Sequence, residues 1–293
     1  MGGLNSAGFP HIERLSDFMG ATDDYDSSRV VLFGIGQDFT TSFRPGTRFG
    51  PGRIREASYG IEEFSYHSLE SLADRAFFDL GDVAVVFGDP KESLSRAEHV
   101  ARKIVQDGKL PIMMGGEHLV TLPCVRTVYE KYGDDLLLLQ FDAHADLRED
   151  YLGNPLSHAA VMRRCLDFLP SGNLYQFGIR SGTADEYQFG REHCNLFPHE
   201  VLRPLKDVIP SFGNRPIYIT IDIDVMDPAF APGTGTPEPG GITSREMIDA
   251  ILALKGCNVV GFDVVEVAPG LDQTDRTVVL GAKLIREAIL AFG

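Results

Sequence analysis

Two apolar runs in this chain end in acidic clusters. Leu136-Leu137-Leu138-Leu139-Gln140-Phe141 leads into Asp142-Ala143-His144-Ala145-Asp146, and Ile217-Tyr218-Ile219-Thr220-Ile221 leads into Asp222-Ile223-Asp224. A short continuous apolar run of this kind reads as a strand buried on both faces, as in a parallel sheet covered by helices. Period-two alternation aims Asp142, His144 and Asp146 one way, and Asp222 with Asp224 likewise. Carboxylates gathered at strand ends repel one another and resist burial. Divalent cations relieve that cost, which makes a metal-dependent hydrolase the leading reading.

Strand and helix patterns alternate along the rest of the chain. Strands are predicted at 29–35, 76–80, 110–114, 136–141, 174–179, 216–221 and 259–265. Helices are predicted at 51–64, 90–106, 118–131, 158–167, 244–254 and 272–290. Pro51 suits a first helical turn, and Thr243 or Ser244 suits an N-cap. Residues 1–28 read as irregular, with one short helical possibility at 12–18, and 36–52 as a loop rich in Gly, Pro and Arg. The alternation predicts an α/β fold with a mostly parallel central sheet and helices on both faces. No repeat or linker interrupts it, and both halves supply candidate ligands, so one domain spanning 1–293 is expected.

Charge narrows the partners. With 27 basic against 42 acidic residues, the formal net charge is −15. That disfavours nucleic acid and anionic membrane; it is compatible with a small cationic substrate, although acidity that serves solubility alone is the commoner case. Cys124, Cys165, Cys194 and Cys257 show no CxxC spacing, so a reducing compartment is the default. No apolar run is long enough to span a membrane. The start, Met1-Gly2-Gly3-Leu4-Asn5, lacks the pattern of an export signal. A cytoplasmic protein is expected.

His118 follows the predicted strand at 110–114 in Gly115-Gly116-Glu117-His118, again at a strand end. The candidate metal ligands are therefore His118, Asp142, His144, Asp146, Asp222 and Asp224. Oxygen and nitrogen donors with no thiolate suit Mn or Mg, and histidine moves the choice toward Mn, Fe, Co or Ni. A single aspartate at such a place more often caps a helix; two clusters together do not fit that reading.

Gly115-Gly116-Glu117-His118, Phe141-Asp142-Ala143-His144-Ala145-Asp146-Leu147, and Asp222-Ile223-Asp224-Val225-Met226-Asp227-Pro228 with Gly233-Thr234-Gly235-Thr236-Pro237 resemble, in order, the motifs of the ureohydrolases. That family includes arginase, agmatinase, guanidinobutyrase and formiminoglutamase. The resemblance runs from the loop at 44–51 to Glu266. It implies a three-layer αβα sandwich and a binuclear manganese centre. One Mn2+ would take His118, Asp142, Asp146 and Asp222; the other would take Asp142, His144, Asp222 and Asp224, with Asp142 and Asp222 bridging. Glu117 stands where many members carry aspartate and is not expected to be a ligand. A homotrimer or homohexamer is also implied.

A guanidinium is a poor electrophile, so its hydrolysis needs a strong nucleophile. A hydroxide shared between two cations forms near neutral pH and would attack the guanidinium carbon. The leaving amine needs a proton, and the resemblance puts His158 in that shuttle role. Asp224 would combine a ligand role with orienting the hydroxide. Glu266 ends another apolar strand, and the resemblance makes it the carboxylate that holds the guanidinium. Asp263, three residues earlier, is expected to face the other side and to be structural. The stretch 147–158 departs from the arginase pattern and looks like the agmatinase form, so hydrolysis of agmatine to putrescine and urea is the expected activity. The alternatives are another ureohydrolase (guanidinobutyrase, arginase or formiminoglutamase) and a non-catalytic homologue. A metallophosphatase would want basic groups that the three motifs do not offer. The role of the loop at 44–51 is left open.

Overall fold

The computed structural model describes residues 8–293. The opening Met1-Gly2-Gly3-Leu4-Asn5 lies outside the described residues. In chain order the elements are β1 (Ile12–Glu13), β2 (Val30–Ile35), α1 (Gly50–Ser58), β3 (Phe64–Ser65), β4 (Glu70–Ser71), β5 (Phe77–Val83), α2 (Pro90–Gln106), β6 (Leu110–Gly115) and α3 (Thr121–Tyr132). There follow β7 (Leu137–Phe141), α4 (Val161–Cys165), β8 (Leu174–Ile179), α5 (Ala184–His193), β9 (Asn195–Pro198), α6 (Leu202–Phe212), β10 (Ile217–Asp222), α7 (Ser244–Ala253), β11 (Val259–Val265) and α8 (Arg276–Phe292).

Nine strands form one sheet in the order β1-β5-β2-β6-β11-β10-β7-β8-β9, with β3 and β4 pairing apart from it. Among the described residues, only β1 runs antiparallel to its neighbour in the large sheet. Successive residues of β7 face opposite layers. Leu137 and Leu139 belong to one buried apolar layer with residues of α1, α6, α7 and α8, while Leu138 belongs to the other, with residues of α2, α3 and α4. Helices therefore cover both faces of a mostly parallel sheet, the predicted three-layer α/β arrangement. Each fully buried Leu or Ile in these layers contributes about 1.5–3 kcal/mol. Beneath the site, Phe141, Phe177 and Phe197 stack across three neighbouring strands, with ring centroids 5.2 and 5.0 Å apart.

Several expectations need correction. The stretch 12–18 contains the short strand β1 and no helix. α1 ends at Ser58, and the chain turns there toward the β3–β4 hairpin. The segments beginning at His118 and His158 open as 3-10 turns before α3 and α4. The sequence reading passed over α5, β9 and α6 altogether. The last helix, expected from 272, begins at Arg276, and nearly every residue from Leu280 to Leu290 is buried, including Arg286 and Glu287. Arg286 reaches the Glu62 carbonyl at 2.7 Å, and Glu287 accepts from Ser65 Oγ at 2.8 Å.

The loop at 44–51 is braced rather than free. Arg44 donates to the carbonyls of Thr234 and Gly235 at 2.8 and 3.3 Å, and Arg48 pairs with Asp38 at 3.0 Å. Gly116 sits so near the end of β2 that a Cβ there would lie 2.0 Å from the Gln37 carbonyl oxygen. This contact brings the Gly115-Gly116 turn against the β2 loop.

Candidate metal centre

Four adjacent strands in the middle of the sheet, β6, β11, β10 and β7, end on one side. Their carboxyl ends lead to His118, Glu266, the Asp222–Asp224 pair and the Asp142–Asp146 cluster, as open parallel sheets commonly arrange their sites. The six candidate ligands do meet there, though strand alternation is not the cause. β7 ends at Phe141, and β10 ends at Asp222. Beyond those points turns aim the side chains. Asp222 Oδ1 accepts from the Asp224 N–H at 2.9 Å, and Asp142 Oδ1 from the His144 N–H at 2.6 Å. Asp146 and Glu266 adopt left-handed backbone, with φ of 53° and 63°. For non-glycine residues that costs about 1–3 kcal/mol each and clusters at functional sites.

His118 Nδ1 lies 3.1 Å from Asp142 Oδ2, 3.0 Å from Asp146 Oδ2 and 3.5 Å from Asp222 Oδ2. His144 Nδ1 lies 2.9 Å from Asp224 Oδ2 and 3.7 Å from Asp142 Oδ1. Two groups can each offer atoms mutually within 4.8 Å: His118 with Asp142 and Asp222, and Asp142 with His144 and Asp224. Asp142 belongs to both. His118 Nδ1 and Asp224 Oδ2 are buried yet have no well-directed hydrogen-bond partner. Buried polar atoms are rarely left so. Orphaned ligand atoms within a cluster of oxygen and nitrogen donors fit a divalent cation.

Crowding pulls the proton affinities apart. Burial disfavours charge on Asp142, but the neighbouring imidazoles of His118 and His144 hold it well below the carboxylate range. Burial and the charge of Asp142 push Asp146 up to about 7. Burial, with Asp224 and Asp142 alongside, drives Asp222 well upward. Burial opposes charge on His144, yet Asp224 and Asp142 raise it to about 12. His118 is likewise held high by Asp142 and Asp146 against the cost of burial. The imidazoles hold protons where cations would sit, and metal binding would displace them.

A cavity of about 220 Å³ opens onto this cluster, lined among others by His144, Arg148, His158, Glu186 and Glu266. Glu266 is buried, accepts from the His118 N–H at 2.7 Å, and is raised by burial to about 8. His158 is half-buried, and desolvation together with the charges of His144 and His118 lowers it to about 4. Arg148 lies 3.4 Å from Glu186 Oε2.

The Arginase family model matches residues 28–291. The chain belongs to the arginase family.

It is a ureohydrolase, most like the agmatinases. The agmatinase of Bacillus subtilis (strain 168) is 46% identical over 94% of this chain and 96% of its own length. That of Bacillus anthracis is also 46% identical, over the same shares. The crystal structure of the agmatine ureohydrolase of Thermoplasma volcanium superposes with a TM-score of 0.87 at 33% identity, covering 96% of this chain and 95% of that one.

Within this arginase-family site the structure reveals supporting contacts of Asp263 and Glu117, and roles for Thr220, Gln140 and Arg180 that the sequence reading missed. Asp263 is buried and reaches the site through a neighbour: it accepts from Thr220 Oγ1 at 2.6 Å, and Thr220 contacts His118 Nε2 at 2.9 Å. Gln140 Nε2 donates to Asp142 Oδ2 at 2.7 Å. Arg180 donates to the carbonyls of Asp224 and Glu238 at 2.6 and 2.7 Å, tying two site loops together. Glu117 points away from the cluster, toward Gln37 and Thr40. Polar residues inside apolar strands, such as Gln140, Thr220 and Asp263, were the available signal, since a buried polar group needs a partner.

Proposed function

We propose that this chain hydrolyses agmatine to putrescine and urea with two manganese ions. One ion would be held by His118, Asp142, Asp146 and Asp222, the other by Asp142, His144, Asp222 and Asp224. The observation that carries the reading is the pair of donor groups sharing Asp142, in which His118 Nδ1 and Asp224 Oδ2 lie close to other ligand atoms without a well-directed hydrogen bond. When bound, such ions supply Lewis acidity and a water of lowered pKa.

The chain's own groups supply the rest. Glu266 keeps Oε1 on the His118 N–H and can turn its remaining lone pairs to a guanidinium, holding the carbon over the cluster. A bound cation there favours the ionised carboxylate that burial otherwise opposes. His158 stands neutral at the cavity wall, able to take a proton and pass it to the departing amine. Asp224, whose Oδ2 faces His144 at 2.9 Å, would help to orient a water held by the ions.

Agmatine is favoured over guanidino acids by the Arg148–Glu186 pair. The guanidinium in the cavity wall already has a carboxylate partner, so a substrate carboxylate gains little from it. The agmatinase relatives point the same way. A cytoplasmic homotrimer or homohexamer, built from one domain, belongs to the same reading; sedimentation checks the assembly. Urea release from agmatine, arginine and 4-guanidinobutyrate at equal concentration tests the substrate. The highest specificity constant is expected for agmatine; a higher one for either acid overturns the choice.

A further inference from the structure

Thr40 links two residues that lie far from it in the sequence. Its backbone N–H and its hydroxyl both donate to Glu117 Oε2, at 2.6 and 2.7 Å. Gln37 Nε2 donates to the other oxygen at 2.9 Å. Glu117 is fully buried, and these donors fix its carboxylate. On its other side Thr40 Oγ1 accepts from the His158 backbone N–H at 3.0 Å and lies 3.3 Å from His158 Nδ1.

A hydroxyl has one proton and two lone pairs. The Thr40 proton is committed to Glu117, and one lone pair takes the His158 amide. The other faces Nδ1, and only an Nδ1–H satisfies it. Ser157 Oγ, also 3.3 Å from Nδ1, can rotate to accept the same proton. Nε2 is then the bare nitrogen, 3.2 Å from Ser42 Oγ on the cavity wall.

We propose that Glu117 is a positioning residue, which acts through Thr40 to lock the His158 ring in the Nδ1–H tautomer with a bare Nε2 toward the cavity. The proposal rests on the reading of His158 as the proton carrier. A carrier must offer a lone pair to the water before it can deliver a proton, and the wrong tautomer offers an N–H instead. Glu117 also directly precedes His118, so the turn that places a metal-cluster residue also sets the ring.

The test is steady-state kinetics of the metal-loaded enzyme, with whichever guanidino compound the wild type turns over fastest. Thr40→Val should lower kcat by about 10–100-fold, while KM and metal content stay within about twofold. Thr40→Ser, which keeps the hydroxyl, should restore most of the rate. In a His158→Asn background, Thr40→Val should cost less than about twofold, because residues acting as one unit are not additive. An equal loss from Thr40→Val in both backgrounds, or wild-type kcat in Thr40→Val, overturns the positioning role. Wild-type kcat in His158→Asn alone overturns the proton-carrier reading and the proposal with it.

Discussion

His118 Nε2 lies 2.9 Å from Thr220 Oγ1, whose own proton goes to Asp263 Oδ1 at 2.6 Å. Thr220 must therefore accept from the ring, which aims His118 Nδ1 at Asp142, Asp146 and Asp222 as the atom a cation would take once its proton leaves. Tyr218 completes the chain by donating to Asp263 Oδ2 at 2.7 Å. Outer hydrogen bonds of this kind orient a ligand and raise its basicity. Thr220→Val and Asp263→Asn are each expected to weaken metal affinity by about 10–100-fold. Competition with a chelator measures this, and unchanged affinity in both variants would refute the role.

Metal binding should release protons. In the metal-free protein His144 is raised to about 12 and His118 is raised as well. A raised histidine contributes stability that is fully present below its unfolded value of about 6.5 and is lost as pH rises through the folded value. The metal-free protein should thus lose this contribution progressively above about pH 6.5. Added Mn2+ should then raise the melting temperature most at alkaline pH. Calorimetric titration in buffers of different ionisation enthalpy should show proton release; a heat independent of buffer would argue against it.

Asp272 anchors the start of α8. Burial opposes its charge, but Thr274 and Thr277 each give it a backbone and a hydroxyl hydrogen bond, and these lower it to about 2. Its stabilising contribution is present above the unfolded value, about 3.9, and lost as pH falls toward 2. Asp272→Ala should lower the melting temperature at neutral pH, with the difference from wild type shrinking below about pH 4. A difference that does not change with pH would contradict this.

Arg55 is buried and makes a two-pronged pair with buried Asp79, at 2.8 and 3.0 Å. The Phe18 and Gly81 amides also donate to Asp79, at 2.8 and 3.1 Å. Arg55→Met should cost about 3–5 kcal/mol, since it strands a buried carboxylate. Replacing Asp79 by Asn in the same chain should recover part of that. Denaturant unfolding of the metal-loaded protein reads both, and a loss under about 1 kcal/mol would show that the pair is better solvated than its burial implies.

The strands carrying the site were legible because Leu136 to Phe141 and Ile217 to Ile221 are uninterrupted apolar runs. Their acidic ends were legible because such charge is costly to bury without a cation. What period two could not supply was the direction of Asp146 and Asp224, which lie past the strand ends in turns set by local hydrogen bonds. α5 is mostly exposed and β9 is only half-buried, so neither has a clear apolar stripe; α6 carries Pro204 and Pro210. The Thr183–Glu186 capping box was a readable start for α5 that went unused. Thr40 could not be found from spacing, because its partners Glu117 and His158 are brought to it only by the fold. Asp263 was placed by alternation alone, which says nothing of the Thr220 hydroxyl that connects it to His118.

Anomalous diffraction from crystals grown with Mn2+ tests the central claim most directly. Two peaks are predicted, one among His118, Asp142, Asp146 and Asp222 and one among Asp142, His144, Asp222 and Asp224. Crystals of catalytically active protein with no anomalous density at those side chains would contradict the account.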